Sequence, residues 1–250
     1  MNKKPHQDHR SRLRLRFRRE GLTHFEDHQI LELLLFYAIP RRDVNPLAHR
    51  LLEHFGSLSG VLEADYHALM KVPGIGENTA TLLTMLPSLC RTYLMDKDTC
   101  HPSFADSHKL GSYLVHYFIG ETREKLIAIL LNNRGEMVDT VVISQGVVNK
   151  TDVSIRLITE AAYARHAAAI VLAHNHPDGT SDPSDADVAM TNEFSSVFAK
   201  LSLPLIEHYV IAGNRYTGIC HYISTGRAIG LDGLKELCMG APEPSLSDSE

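Results

Sequence analysis

The chain has 250 residues, 44% of them hydrophobic, and a formal net charge of −5. That balance excludes fibrous and disordered classes, and the length suits two modest cores better than one. It also excludes a surface that grips nucleic acid throughout, because neutralising phosphates takes a concentrated excess of Lys and Arg, so any such contact is local.

The amino terminus, MNKKPHQDHR, is polar and has no apolar core of signal-peptide length. No later segment approaches the roughly 20 apolar residues of a spanning helix, so the expected location is the cytoplasm, with no membrane partner. Cys90, Cys100, Cys220 and Cys238 are scattered and form no C-x-x-C pair. Neither a disulfide framework nor a cysteine zinc knuckle is indicated, which leaves His and carboxylate to hold any metal.

From Arg10 to Arg19 the run RSRLRLRFRR interleaves arginines with Leu13, Leu15 and Phe17. It reads as a basic arm on nucleic acid or as the exposed start of a helix, and the second is favoured because a charge run is usually a solvated face. FEDHQILELLLFYAI then sets Ile30, Leu31, Leu34 and Leu35 at helical spacing, and VNPLAHRLLEHFG repeats the pattern before a glycine. The segment ADYHALMKVPGIGENTATLLTMLPSLCRTYL predicts a short helix, a tight Pro-Gly-Ile-Gly turn and a second helix, which resembles a helix-hairpin-helix.

In such a hairpin Gly74 and Gly76 let the backbone approach a phosphate at a helix N-terminus. Yet Lys71 is the nearby cation, and Glu77, Asn78 and Thr79 follow the turn. A turn joining two packed helices is at least as good an account as contact with DNA. The chain therefore divides into a helical domain over 1–95, a linker over 96–107 that is rich in turn residues, an α/β domain over 108–227 and a polar, acidic tail over 228–250 expected to be disordered.

Within the second domain a helix is expected around Lys109 to Phe118. EKLIAILL and EMVDTVVIS follow as a hairpin around Asn132, Asn133, Arg134 and Gly135, and then a helix over Thr151 to His166. AAAIVLAHN reads as a buried strand, Ser184 to Lys200 as a helix begun by Asp182 and Pro183, and PLIEHYVIAG and RYTGICHYIS as two closing strands.

The informative stretch is AHNHPDGTSDPSDAD. On extended chain residues i and i+2 project to one side, so His174 and His176 can share a cation while Asn175 faces away. Ser184 and Asp187, three apart, share a face of the next helix, which returns a carboxylate to the imidazoles. Two His and one Asp leave a fourth tetrahedral position for water, the mark of a catalytic zinc site, and zinc brings the pKa of that water to about 7.

His-x-His-x7-Ser-x2-Asp, here His174, His176, Ser184 and Asp187, is the JAMM motif of the JAB/MPN metallopeptidases, and HNHPDGTSDPSDAD resembles the RadC branch of that family. With the Gly-Ile-Gly hairpin included, the resemblance extends from about Arg10 to Ile223. It implies a mixed-sheet, cytidine-deaminase-like α/β domain behind a small all-α domain. It also implies one zinc ion per chain on His174, His176 and Asp187, and a Glu on an earlier strand that takes a proton from water.

Glu124, which opens the first strand, matches that Glu, with Glu121 and Glu160 as competitors. Ser184 would donate to the oxyanion. The chain departs from the family in reading Arg156-Leu157 where Arg-Glu is usual, and Ile206-Glu207-His208 where Leu-Asp-His is usual.

The resemblance favours hydrolysis of an amide or isopeptide bond in an unidentified polypeptide. The alternative is a DNA-associated protein linked to repair or recombination, which binds through the Gly74–Gly76 hairpin and uses its metal domain as an accessory. A nuclease ranks third, and nucleobase deamination is disfavoured because its Pro-Cys-x-x-Cys pattern is missing.

Overall fold

The arginine-rich segment folds as helix α1 (Pro5–Glu20) in the computed structural model, which describes residues 5–97, 107–146, 151–177 and 179–221. The chain divides into two compact units, residues 1–92 and 93–250. In the first, α2 (Asp27–Ala38) starts at a capping box in which Glu26 and Gln29 satisfy each other's backbone N–H groups. Helix α3 (Asn45–Phe55) carries Pro46 in its first turn and stops at Gly56, whose φ of 82° is the left-handed conformation that ends helices.

The short helices α4 (Leu58–Leu62) and α5 (Tyr66–Met70) lead through the glycine turn into α6 (Glu77–Lys97). Leu31, Leu35, Leu51, Val61, Leu69 and Leu83 are fully buried in one shared core. Gly74 has φ 102°, a region that a side chain strongly disfavours, so the hairpin turn requires glycine there.

Within the arginine run Leu13 and Arg10 reach this core, while Arg12, Arg18 and Arg19 lie on the exposed side of α1. Arg10 is buried and its guanidinium donates to the backbone carbonyls of Phe36 (3.3 Å) and Ile39 (2.6 Å), where the end of α2 leaves acceptors unfilled, and of Arg42 (2.5 Å) in the loop that follows. Arg16 donates to Gln29 at 3.0 Å and pairs with Glu20.

Residues 96 and 97, expected to open a linker, continue α6 instead, with Lys97 placed favourably at the negative end of the helix dipole. Most of the remaining linker and the whole 228–250 tail lie outside the described residues.

The second unit is built on a five-stranded sheet of order β2-β1-β3-β4-β5, from β1 (Lys125–Leu131), β2 (Met137–Gln145), β3 (Ala169–Asn175), β4 (Leu205–Ala212) and β5 (Arg215–Gly218). Strands β3 and β4 are parallel and the other pairs antiparallel, so the sheet is mixed, as the resemblance implies. KLIAILL and AIVLAHN are almost entirely buried because both faces of the sheet are covered. Helix α7 (Ser107–Tyr117) packs on Ile127, Ile129, Val171 and Ala173. On the opposite face, α8 (Thr151–Ala164) and α9 (Asp185–Lys200) set Ile158, Phe194 and Phe198 against Leu126, Ala128 and Leu172.

The last strand is shorter than RYTGICHYIS suggests. β5 ends at Gly218, and Ile219–His221 turn helical because the Glu207 carboxylate accepts the N–H groups of Cys220 (2.7 Å) and His221 (3.2 Å). A Cβ on Gly218 would come within 2.8 Å of that carboxylate, so Gly218 makes room for the cap.

Candidate metal centre

Along β3 the side chains alternate between the two faces, with Ala173 toward α7 and Leu172 toward α9. His174 therefore lies on the α9 face at the end of the strand, and His176 follows one residue beyond it. The chain turns through Pro177 and Gly179 and enters α9 at Ser184, which is its N-cap, so Asp182 and Pro183 precede the helix rather than begin it. Asp187, in the first turn, is carried back over the histidines. Asp187 Oδ1 lies 3.2 Å from His174 Nε2, Asp187 Oδ2 lies 3.5 Å from His176 Nε2, and the two Nε2 atoms are 3.0 Å apart.

His176 Nδ1–H donates to the Thr180 carbonyl at 2.9 Å, which leaves its Nε2 as a lone pair facing the cluster. Asp187 stays ionised: burial opposes its charge, but the adjoining His174 imidazole and the hydroxyl and N–H of Ser184 hold its carboxyl well below the usual carboxylate range. Ser184 Oγ donates to Asp187 Oδ2 at 2.6 Å and Ser184 N at 2.8 Å, while Asp187 N donates back to Oγ at 3.2 Å. This reciprocal capping box uses the hydroxyl to aim the carboxylate. An oxyanion role for Ser184 requires that proton to exchange partners.

Glu124 precedes β1 at the end of the sheet where β3 reaches His174. Leu126 pairs with His174 at the last rung of the antiparallel β1–β3 ladder, and Glu124 stands two residues before Leu126, beyond the paired positions. Glu124 is exposed. Its two competitors are engaged elsewhere: Glu121 pairs with Lys125 at 3.0 Å, and Glu160 pairs with Arg156 at 2.8 Å on the exposed side of α8.

Sequence reasoning passed over several residues that the fold brings to the site. Asn175 faces away from the histidines, as alternation requires, yet it is buried and fully used. Its Oδ1 accepts from Lys125 N at 2.9 Å, and its Nδ2 donates to the Glu121 and Arg123 carbonyls at 3.1 Å each. His208, in the middle of β4, has no exposed surface; its Nε2 is 2.9 Å from His174 Nδ1 and its Nδ1 is 2.7 Å from Thr191 Oγ1. Burial pushes His208 well below the ordinary imidazole range, so it is neutral.

A histidine inside the apolar run PLIEHYVIAG was the available signal for His208. Neighbouring Glu207 points to the other face, where it caps the turn after β5, so its carboxylate is structural.

His174, His176 and Asp187 each present a ligand atom, all within 4.8 Å of one another. Two imidazole nitrogens and a carboxylate oxygen converging this closely repel one another unless a cation or a proton sits between them. The donor set suits a borderline metal such as zinc. Among the described residues no helix is long and apolar enough to cross a membrane.

A mixed sheet with helices on both faces and a His-x-His…Asp cluster at the end of a central strand defines a JAB/MPN-type domain. The RadC-like JAB domain family matches residues 104–222, and the UPF0758 N-terminal family matches residues 5–81. A UPF0758 protein of Fusobacterium nucleatum subsp. nucleatum is 36% identical over 225 residues, covering 86% of this chain and 96% of the relative. The chain belongs to the RadC-like UPF0758 family.

Proposed function

We propose that this protein is a zinc-dependent hydrolase that cleaves amide or isopeptide bonds in a polypeptide. The observation that carries the proposal is the convergence of His174 Nε2, His176 Nε2 and a carboxylate of Asp187 held ionised. A zinc ion held by these three residues supplies Lewis-acid chemistry, which acidifies a water and polarises a carbonyl. Glu124 accepts the proton of the attacking water and returns it to the leaving nitrogen, a general-base and then general-acid role. Asn175 holds the backbone of the segment that carries Glu124 against β3. Thr180 and the Ser184 cap orient His176 and Asp187.

Elemental analysis of tag-free protein is the first test: about one zinc per chain in the wild type, lost in His176→Ala and Asp187→Ala. Glu124→Gln is expected to keep the zinc and lose turnover on a peptide or isopeptide substrate found by screening. Full activity in that variant would remove Glu124 from the proton-transfer role, and absence of metal from wild type after zinc is added back would remove the hydrolase proposal.

A second reading is DNA association through the helical unit. What favours it is a cavity beside Gly74 lined by Arg42 and Arg50, with Asp43 also on its wall. Contact with phosphates there predicts DNA affinity that falls steeply with salt and weakens in Arg50→Ala, whereas salt-independent or absent binding discards the reading.

A further inference from the structure

We infer that His208 and Thr191 are positioning residues that lock His174 in the tautomer whose Nε2 is free to bind a metal. The inference rests on the metal-centre reading above and deepens it.

The direction of each proton in the chain follows from an acceptor that cannot donate. Thr191 Oγ1 lies 2.6 Å from the backbone carbonyl of Asp187, four residues earlier on α9. A carbonyl only accepts, so the single hydroxyl proton of Thr191 goes to it. Thr191 Oγ1 is then an acceptor toward His208 Nδ1 at 2.7 Å, and His208 carries its proton on Nδ1. A neutral imidazole has one N–H, so His208 Nε2 is a lone pair facing His174 Nδ1 at 2.9 Å. His174 must donate there, which strips its Nε2 of a proton and leaves that atom directed at His176 and Asp187.

The chain begins at one proposed ligand, His174, and ends on the backbone of another, Asp187. It runs from β3 through β4 to α9, so it ties together the elements that carry those ligands. His208 is fully buried and Thr191 is 1% exposed, so water does not compete for these bonds. Without an acceptor at Nδ1, the His174 proton is free to sit on Nε2, the atom a metal needs bare. Outer partners of metal-binding histidines typically contribute about 10–100-fold to metal affinity.

The test compares wild type with His208→Leu, which keeps an apolar-compatible bulk but removes the acceptor, with His208→Gln, which restores an acceptor oxygen, and with Thr191→Val. Zinc and cobalt affinities are measured by chelator competition, and folding is checked by thermal denaturation. His208→Leu is expected to bind metal about 10–100-fold more weakly, His208→Gln to recover much of the loss, and Thr191→Val to fall between. If His208→Leu fails to fold, Thr191→Val against wild type carries the comparison.

Imidazole 15N spectra of the metal-free wild type supply a readout that a purely structural role would not move. They are expected to show His174 protonated on Nδ1 and bare on Nε2. A His174 protonated on Nε2, or unchanged metal affinity in a folded His208→Leu or Thr191→Val, overturns the inference. Absence of metal binding by the wild type overturns the metal-centre reading instead, and the 15N assignment of metal-free protein still decides this one.

Discussion

Asp187 serves two partners with one carboxylate, and Ser184 divides the work. By donating its hydroxyl and amide to Oδ2, Ser184 steers that oxygen and leaves Oδ1 toward His174. Ser184→Ala removes an N-cap, which typically costs about 1 kcal/mol, and also unties the carboxylate. Chemical denaturation is therefore expected to show that loss in metal-free protein, with weaker zinc binding in addition; a loss of stability with unchanged zinc affinity would confine Ser184 to the helix.

Asp187 also makes a pH prediction. Its folded-state carboxyl ionises well below the unfolded value of about 3.9, so its contribution to stability is present above that value and is lost as pH falls through the folded one. In the presence of chelator, wild type is expected to exceed Asp187→Asn in stability at pH 7, and the gap is expected to narrow toward pH 3. A gap that stays constant over that range would mean the charge contributes nothing.

At the scale of elements, the end of β3 is where the site is assembled, and Asn175 shows how. Its carboxamide stands in for the ladder rungs that β1 lacks beyond Lys125 and so fixes the backbone leading to Glu124. Asn175→Asp exchanges the donating amide for a second acceptor facing two carbonyls. The expected result is faster hydrogen exchange at the Lys125 amide and its neighbours with the α9 amides unchanged; unaltered exchange at Lys125 would show that the ladder needs no such support.

Much at this scale was legible in the sequence, because it depends on short-range periodicity. Alternation on one strand gave His174 and His176 a common side, and the Ser184 to Asp187 spacing placed both at a helix start. What was not legible depends on strand order. His208 is 34 residues from His174 and meets it only because β4 lies parallel beside β3, an adjacency that no local pattern encodes. Ser184 was read as an oxyanion donor because its motif suggests one; its capping box was visible in the same residues, but the competition for its proton appears only with coordinates.

For the whole molecule, the proposed metal centre would be coupled to one core and not the other. Leu31, Leu51 and Leu83 close one core in the helical unit, while the two faces of the sheet are closed by other residues in the second unit. All the proposed ligands come from β3, the loop after it and α9, so binding free energy enters the second unit. At a free zinc concentration of 100 times Kd the stabilisation is about 2.7 kcal/mol, which for a domain of this size raises its melting temperature by roughly 5–10 °C. Calorimetry with zinc and then with chelator is expected to move the transition of the sheet unit by that amount and to leave the transition of the helical unit in place. A shift of equal size in both would mean that the two cores unfold as one cooperative body, and helical-unit variants such as Arg10→Met would then weaken zinc binding from outside the metal-bearing unit.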